Sequence, residues 1–196
     1  MSRDRETLAV YDAKATEYAA TFDAKPSTAL ANFIAAMPRD AHVLDLGCGP
    51  GTSARTMAEA GLTVTATDAS PEMVALASRV PGITVREEDF DALTGTDLYD
   101  SVWASFSLLH APRAAFPRHL AAIATALKPG GRLHLGLKTG TGEGRDALGR
   151  FYTYYTPSEL RDLLQAAGFT LLETTEGRER GLAGSVDPYI LIAAHA

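Results

Sequence analysis

The chain has 196 residues, of which 46% are hydrophobic and 21% charged, the composition of a globular domain with a full core. It is too short for two ordinary α/β domains, so a single domain over residues 1–196 is expected. A formal net charge of −6 and scattered basic residues argue against a broad nucleic-acid-binding surface.

The single cysteine and the N-terminal residues indicate the expected cellular compartment. Cys48 has no second cysteine to pair with, which favours a reducing cytoplasm. The first residues are charged, unlike a signal peptide, and no stretch approaches the roughly 18 apolar residues that cross a membrane. We therefore expect a cytoplasmic protein with no nucleic-acid or membrane partner. Its oligomeric state, monomer or homodimer, is left open.

Two helices are predicted before the first strand. Over residues 7–22, the spacing of Tyr11, Ala15, Tyr18 and Phe22 places them on one helix face. Over residues 27–37, Ser27 can cap a second helix, and Pro38 ends it.

From His42 onward, short β-rich segments alternate with helical ones, a pattern that predicts parallel strands joined by crossover helices. The predicted strands are 42–46, 62–67, 82–86, 99–105 and 131–138. The predicted helices between them are 52–60, 71–79 and 112–127, the last opened by Pro112.

The C-terminal part begins with residues 139–151, which carry four glycines and no clear period and so predict a mobile loop. Thr156 and Glu159 form a capping box for a helix over 157–167. Strands 169–176 and 187–195 follow with too short a connection for a crossover, so they should pair antiparallel. The whole chain predicts an α/β three-layer sandwich with a mostly parallel seven-stranded sheet and a C-terminal antiparallel hairpin.

The most specific motif is the strand at residues 43–46 followed by glycines at 47, 49 and 51. Glycines lack Cβ atoms, so this turn can take positive φ values and approach a ligand closely. Asp68 ends the next strand, where a carboxylate can accept hydrogen bonds from both ribose hydroxyls. Together these features predict a nucleoside site at the first turn of the sheet.

The motif Val43-Leu-Asp-Leu-Gly-Cys-Gly-Pro-Gly51 resembles motif I of the class I, Rossmann-like S-adenosylmethionine-dependent methyltransferases. The resemblance covers about residues 7–176. It continues, in order, through Thr67-Asp68-Ala-Ser-Pro-Glu-Met73, Glu88-Asp89-Phe90, Tyr99-Asp100-Ser-Val-Trp103, Leu109-His110 and Leu127-Lys-Pro-Gly-Gly-Arg132. A dinucleotide site would need Gly-x-Gly-x-x-Gly, whereas here the third glycine comes one residue early and Pro50 removes an N–H.

The resemblance implies S-adenosyl-L-methionine as the cofactor, S-adenosyl-L-homocysteine as its product and no metal. It implies that Asp45 helps to hold the methionine amino group, that Asp68 binds the ribose, and that residues 1–38 form a helical lid. The implied cofactor-binding residues are Tyr11, Tyr18, Asp45, Gly47, Cys48, Gly49, Gly51, Asp68, Ala69, Met73, Asp89, Phe90 and Ser105.

His110 is the candidate catalytic residue, because it follows the fourth strand and a histidine can take a proton from a hydroxyl or amine. Capping the next helix would explain it equally. The other histidines, His42, His119, His134 and His195, are interpreted as ordinary surface or strand positions with no metal-site spacing.

The segment 139–156 is the candidate substrate loop, since arginines beside tyrosines suit an aromatic or carboxylated molecule. Its candidate residues are Arg145, Arg150, Tyr152, Tyr154 and Tyr155, which could alternatively only pack on the sheet. The sequence thus predicts a methyltransferase acting on O, N or C of a small-molecule substrate. A non-catalytic module that binds S-adenosylmethionine or S-adenosylhomocysteine and an NAD(P)-dependent oxidoreductase remain as alternatives.

Overall fold

The computed structural model describes residues 3–22 and 26–196. Two helices come first, α1 (Arg5–Phe22) and α2 (Thr28–Ala35). Ser27 caps α2 as predicted, because its hydroxyl accepts a hydrogen bond from the amide of Leu30. Ala15 is buried on the predicted face of α1. The side chain of Phe22, the last predicted position of that face, lies outside the described part of the chain.

Nine strands and four α-helices follow in the described residues. The strands are β1 (His42–Leu46), β2 (Thr63–Asp68), β3 (Ile83–Glu87), β4 (Tyr99–Ser105), β5 (Leu127–Lys138), β6 (Glu143–Arg145), β7 (Phe151–Thr153), β8 (Thr170–Arg180) and β9 (Val186–His195). The helices between them are α3 (Thr52–Glu59), α4 (Pro71–Ala77), α5 (Phe116–Ala126) and α6 (Pro157–Ala166).

Within the described residues, seven strands form one sheet in the order β3-β2-β1-β4-β5-β9-β8. Strands β1 to β5 are parallel, and β9 lies antiparallel between β5 and β8. The short connection between β8 and β9 cannot hold a crossover helix, which explains the antiparallel pairing. The predicted fold class, a mostly parallel seven-stranded sheet with a terminal hairpin, is confirmed.

Helices cover both faces of the sheet, as a parallel sheet requires. On one face, α5 and α6 contribute Phe116, Leu120 and Leu160 to the larger core. On the other, α2 and α3 contribute Phe33 and Met57, which pack with Trp103 of β4. Burial on both faces leaves the strand ends as the places where polar side chains can gather.

Two predicted segments are corrected. Residues 139–151 are not a loop without structure, because β6 pairs with β7 in a small antiparallel sheet. Helix α5 begins at Phe116 rather than Pro112. The preceding segment is held in a turn, since the amide of Arg113 donates to Glu143 Oε1 at 2.7 Å.

Two histidines are more buried than the sequence indicated. His119 lies on α5 with its ring 5.7 Å from that of Phe90, and it is neither a surface nor a strand residue. His134 of β5 stacks on Trp103 with ring centroids 3.8 Å apart. Burial lowers the pKa of both imidazoles, that of His134 to about 4. The periodicity of a fully buried segment does not mark which position holds a polar ring, so this burial could not be read from the sequence.

Among residues 3–22 and 26–196, no helix is long and apolar enough to cross a membrane.

Candidate functional site

A cavity of about 540 Å³ lies at the edge of the sheet where β1, β2, β4 and β5 end. The chain runs from β1 to β2 and β3 on one side of β1, whereas β4 and β5 lie on its other side. The strand order therefore reverses at β1, which leaves a crevice at the ends of the strands. Helix α1 and the tip of the β8–β9 hairpin also line this cavity. Its volume is in the range of small-molecule sites.

The glycine turn forms one wall of the cavity. Gly47, Gly49 and Gly51 have φ values of 79°, 53° and 84°, as the motif predicted. The amides of Gly47 and Cys48 both donate to the carbonyl of Thr67, at 2.8 and 2.9 Å, which fastens the turn to β2. Gly47, Cys48 and Gly49 line the cavity.

Gly51 has a different role from the other two glycines. It does not line the cavity, and a Cβ there would lie 3.1 Å from that of Ala77. The lack of a side chain at Gly51 is therefore explained by the close packing of the turn on α4, and the predicted ligand contact is not needed to explain it.

Asp68 lies at the end of β2 and lines the cavity. One of its carboxylate oxygens accepts from the amide of Gly49 at 2.8 Å, and the other accepts from the amide of Ser70 at 2.9 Å. Burial raises the pKa of Asp68, although these backbone hydrogen bonds oppose the shift. Since each oxygen can accept a second bond, the carboxylate can hold the turn and a ligand at once.

Asp45 is the most deeply buried carboxylate of the cavity, with 2% of its surface exposed. Its Oδ2 atom has no hydrogen-bond partner among the described residues. Burial, followed by repulsion from Asp68, raises the pKa of Asp45 to about 8. An unpaired buried acceptor of this kind favours a ligand that brings a cationic donor.

The other predicted cofactor residues are also brought together. Met73 is buried at the start of α4, and Asp89 caps the short helix that contains Phe90 by accepting from the amide of Asp91. Burial raises the pKa of Cys48, so this residue is a thiol in the turn. The cavity is lined by Tyr11, Tyr18, Ala69, Met73, Asp89, Phe90 and Ser105.

His110 is joined to α1 by a hydrogen bond. Its Nδ1 lies 2.5 Å from the carbonyl oxygen of Phe151, which can only accept, so Nδ1 carries the proton. In a neutral ring Nε2 is then an acceptor, and the hydroxyl of Tyr11 donates to it at 2.8 Å. Burial, assisted by the charge of Arg150, lowers the pKa of His110 to about 4, which keeps the ring neutral at pH 7.

Arg150 completes this network. It is 3% exposed, donates to the Tyr11 hydroxyl at 3.1 Å, and pairs with Asp146 Oδ2 at 2.6 Å. Its guanidinium also lies 5.3 Å from the centroid of the Tyr152 ring. Arg150 and Tyr152 both line the cavity, so two of the five candidate substrate residues reach it.

The other three candidate substrate residues do not line the cavity. Arg145 is turned to the N-terminal segment, where it pairs at 2.8 Å with Asp4, the residue before α1. Tyr155 is fully buried against Phe116, with ring centroids 4.7 Å apart. Tyr154 is half-buried beside Tyr152. Successive residues of β7 and its continuation face opposite ways, so Tyr155 points away from the side shared by Tyr152 and Tyr154.

Several cavity residues were missed from the sequence. Lys138 ends β5, pairs with Asp187 at 2.6 Å and lies 4.4 Å above the Tyr152 ring centroid. Lys138 lies at the carboxyl end of a strand, the same feature that led to the prediction of Asp68. This feature could also have predicted Lys138. The hairpin residues Glu179, Arg180, Gly181 and Leu182 also line the cavity, but only the tertiary fold brings them there.

Comparison with known proteins finds similarity to methyltransferases. Residues 43–131 match the family model of a methyltransferase domain. A ubiquinone biosynthesis O-methyltransferase of Xanthomonas axonopodis pv. citri is 37% identical over 105 residues, which cover 50% of this chain and 43% of that protein. The O-methyltransferase resE of Aspergillus sclerotiorum is 30% identical over 157 residues, 70% of this chain and 58% of that one. The chain thus spans less than two thirds of these curated relatives.

Solved structures agree over the whole chain. The 1,6-didemethyltoxoflavin-N1-methyltransferase of Burkholderia thailandensis, solved with 1,6-didemethyltoxoflavin and S-adenosylhomocysteine, has a TM-score of 0.77 and 28% identity. The match covers 100% of this chain and 91% of that one. The [4+2]-cyclase SpnF, with a TM-score of 0.76 and 19% identity, shares the fold. By sequence motif, strand order and structural relatives, the chain is similar to the class I S-adenosylmethionine-dependent methyltransferases.

Proposed function

We propose that this protein transfers a methyl group from S-adenosylmethionine to an O, N or C atom of a small-molecule acceptor. The observation that carries the proposal is one cavity with two chemically different ends. The first end is formed by the glycine turn, by Asp68, which accepts from Gly49, and by Phe90, which lies beside Gly47. The second is formed by Arg150 and Tyr152, whose guanidinium and ring centroid lie 5.3 Å apart. The names of the relatives and the S-adenosylhomocysteine in the Burkholderia structure support the same reaction class.

The residues at the first end fit the cofactor. The unpaired Oδ2 of Asp45 would accept from the methionine ammonium group, whose charge would restore the ionised carboxylate. Asp68 would hold the ribose hydroxyls. Ala69, Met73 and Phe90 would contact the adenine, and Asp89 its amino edge.

The chemistry then asks little of the protein beyond positioning. A bound sulfonium supplies a methyl group that is already activated for displacement. The protein would then need to hold the acceptor atom about 3–3.5 Å from the methyl carbon. Helix α1 is fastened over the cavity by Asp12, which accepts from Ser70 at 2.6 Å, and can exclude water there.

Two segments have defined parts in this proposal. Residues 1–38 act as the lid, with Tyr11 and Tyr18 of α1 facing the cofactor. Residues 139–156 contribute acceptor contacts through Arg150 and Tyr152. His110, whose Nε2 accepts from Tyr11, positions that hydroxyl and is the remaining candidate for a proton acceptor.

Calorimetric titration with S-adenosylmethionine tests the cofactor site. We expect Asp68→Ala to weaken binding about ten- to hundredfold, because a charge-assisted hydrogen bond contributes about 1.5–3 kcal/mol. Asp162→Ala removes an exposed carboxylate of α6 and should leave the affinity unchanged. Equal affinity of wild type and Asp68→Ala would contradict the assignment.

Activity is tested by detecting S-adenosylhomocysteine across a panel of small acids, phenols and amines. Turnover that is reduced in Asp68→Ala at low cofactor concentration supports the proposal. Tight cofactor binding without product from any acceptor would instead indicate a binding module.

A further inference from the structure

Two cations lie against one ring at the second end of the cavity. Lys138 Nζ and the Arg150 guanidinium lie 4.4 and 5.3 Å from the centroid of Tyr152. Their side chains are 13% and 3% exposed. Because charges in such a position are poorly screened by solvent, both fields reach a ligand that packs on Tyr152.

The partners of these cations stand behind them. Lys138 and Arg150 line the cavity, whereas Asp187 and Asp146, which pair with them, do not. Lys138 gives one hydrogen bond to Asp187, and an ammonium group has three donors. Donor capacity and positive charge therefore face the cavity, whereas the compensating carboxylates lie outside its lining.

A free base is scarce at this end among the described residues. Both nitrogens of His110 are already used, by Tyr11 and by the carbonyl of Phe151. The pairing with Arg145 holds the pKa of Asp4 well below its usual range. Glu179 is a largely exposed carboxylate at the edge of the hairpin. Partial burial raises its pKa, and the charge of Lys138 opposes that shift.

We infer that the acceptor is an organic acid whose anionic atom lies beside Lys138 and Arg150 on the Tyr152 ring and is methylated without proton removal by the protein. This inference rests on the proposed function. The acceptor's electron pair forms the bond to the methyl carbon, and the carbon–sulfur bond breaks with its pair going to sulfur. The negative charge of the acceptor and the positive charge of the sulfonium cancel, so no proton is released.

Binding of matched probes tests the charge preference. In the presence of S-adenosylhomocysteine, calorimetry compares 2,4-dinitrophenol, an anion at pH 7, with the neutral and similarly shaped 2,4-dinitroaniline. A second pair is benzoate and benzamide. We expect the wild type to bind the acid of each pair at least tenfold more tightly than its neutral partner.

Lys138→Met should abolish most of that preference while leaving the affinity for the neutral probe and for S-adenosylhomocysteine unchanged. Lys138→Arg should retain it. Lys128→Met is the matched control, because Lys128 begins the same strand and pairs with Asp100 at 2.8 Å outside the cavity. Equal binding of acid and neutral probes by the wild type, or an equal loss of both in Lys138→Met, would overturn the inference.

Turnover of phenols with graded acidity provides a second readout. The midpoint of the pH–rate profile should move with the ionisation of each phenol. A midpoint that stays fixed and disappears in Glu179→Gln would assign a base to the protein and would also overturn the inference. Absence of S-adenosylhomocysteine binding by the wild type would contradict the proposed function instead, so the two failures are distinguishable.

Discussion

Gly47 and Gly82 have the same positive φ of 79° but different surroundings. At Gly82 an added Cβ meets no atom of the described residues within 4 Å, whereas at Gly47 it would lie 2.3 Å from the Cβ of Ser107. Ser107 cannot easily withdraw, because its hydroxyl donates to the carbonyl of Leu46 at 2.5 Å. A residue with a side chain at position 47 would therefore have both backbone strain and steric overlap.

We expect Gly82→Ala to lower the free energy of unfolding by about 1–2 kcal/mol, the strain of a left-handed alanine. Gly47→Ala should lower it by roughly 1–3 kcal/mol more, since overlap in a packed site adds to the strain. Urea unfolding monitored by circular dichroism measures both. Equal losses in the two variants would show that Ser107 does not confine the glycine turn.

Individual residues were predictable where one position suffices to define a role. Asp68 was predicted because a carboxylate at a strand's carboxyl end faces the ligand edge of a parallel sheet. Tyr155 was not, because its burial against Phe116 depends on the docking of α5, far away in the sequence. Arg145 likewise pairs with Asp4, and Arg150 donates to Tyr11 of α1, 139 residues away, a distance that no local pattern spans.

At the scale of elements, α6 offers a direct test of a feature read from the sequence. The Thr156 hydroxyl accepts from the amide of Glu159, and the Glu159 carboxylate accepts from the amide of Thr156 at 2.8 Å. This capping box satisfies two donors that the first turn would leave unpaired.

Thr156→Ala should cost about 1 kcal/mol, which lowers the Tm by about 2–4 °C for a chain of this size. Gln165→Ala is the control, because Gln165 is an exposed residue of α6 outside the first turn. Calorimetric melting measures the shift. A Tm for Thr156→Ala that equals that of the control would contradict the capping role.

The bounds of elements with a strong local sequence signal were predicted closely, whereas short elements were not predicted. Strands β1 and β4 have the predicted bounds, because Gly47 and a buried apolar pattern define them. Strands β6 and β7 have three residues each and hold together by pairing with one another and by contacts to α1, such as the amide of Phe151 donating to Thr7 at 2.8 Å. Such strands have no periodicity to read.

For the whole molecule, buried titratable groups link stability to pH in opposite directions. The folded protein holds Asp45 at a pKa of about 8, so it binds a proton that the unfolded chain releases from about pH 4 upward. That contribution to stability is lost as the pH rises towards 8. Histidines buried in the neutral form do the reverse, so the total profile mixes both signs.

His134 isolates one of these contributions. Its Nε2 has no hydrogen-bond partner within the described chain, and burial against Trp103 and Phe33 lowers its pKa from 6.5 to about 4. Below pH 6.5 the His134 imidazole is protonated in the unfolded chain, whereas in the folded protein it stays neutral until the pH approaches 4. The stability supplied by the neutral ring is therefore present above pH 6.5 and is lost as the pH falls towards 4.

His134→Phe keeps an aromatic ring beside Trp103 and removes this titration. We expect the difference in unfolding free energy between variant and wild type to grow by on the order of 3 kcal/mol between pH 7 and pH 4, in favour of the variant. Urea unfolding at several pH values measures it, and Asp45 cancels because both proteins contain it. His195→Phe, at a half-buried position near the end of β9, serves as the control. A difference that stays constant with pH would show that His134 is protonated as readily in the folded protein as in the unfolded chain.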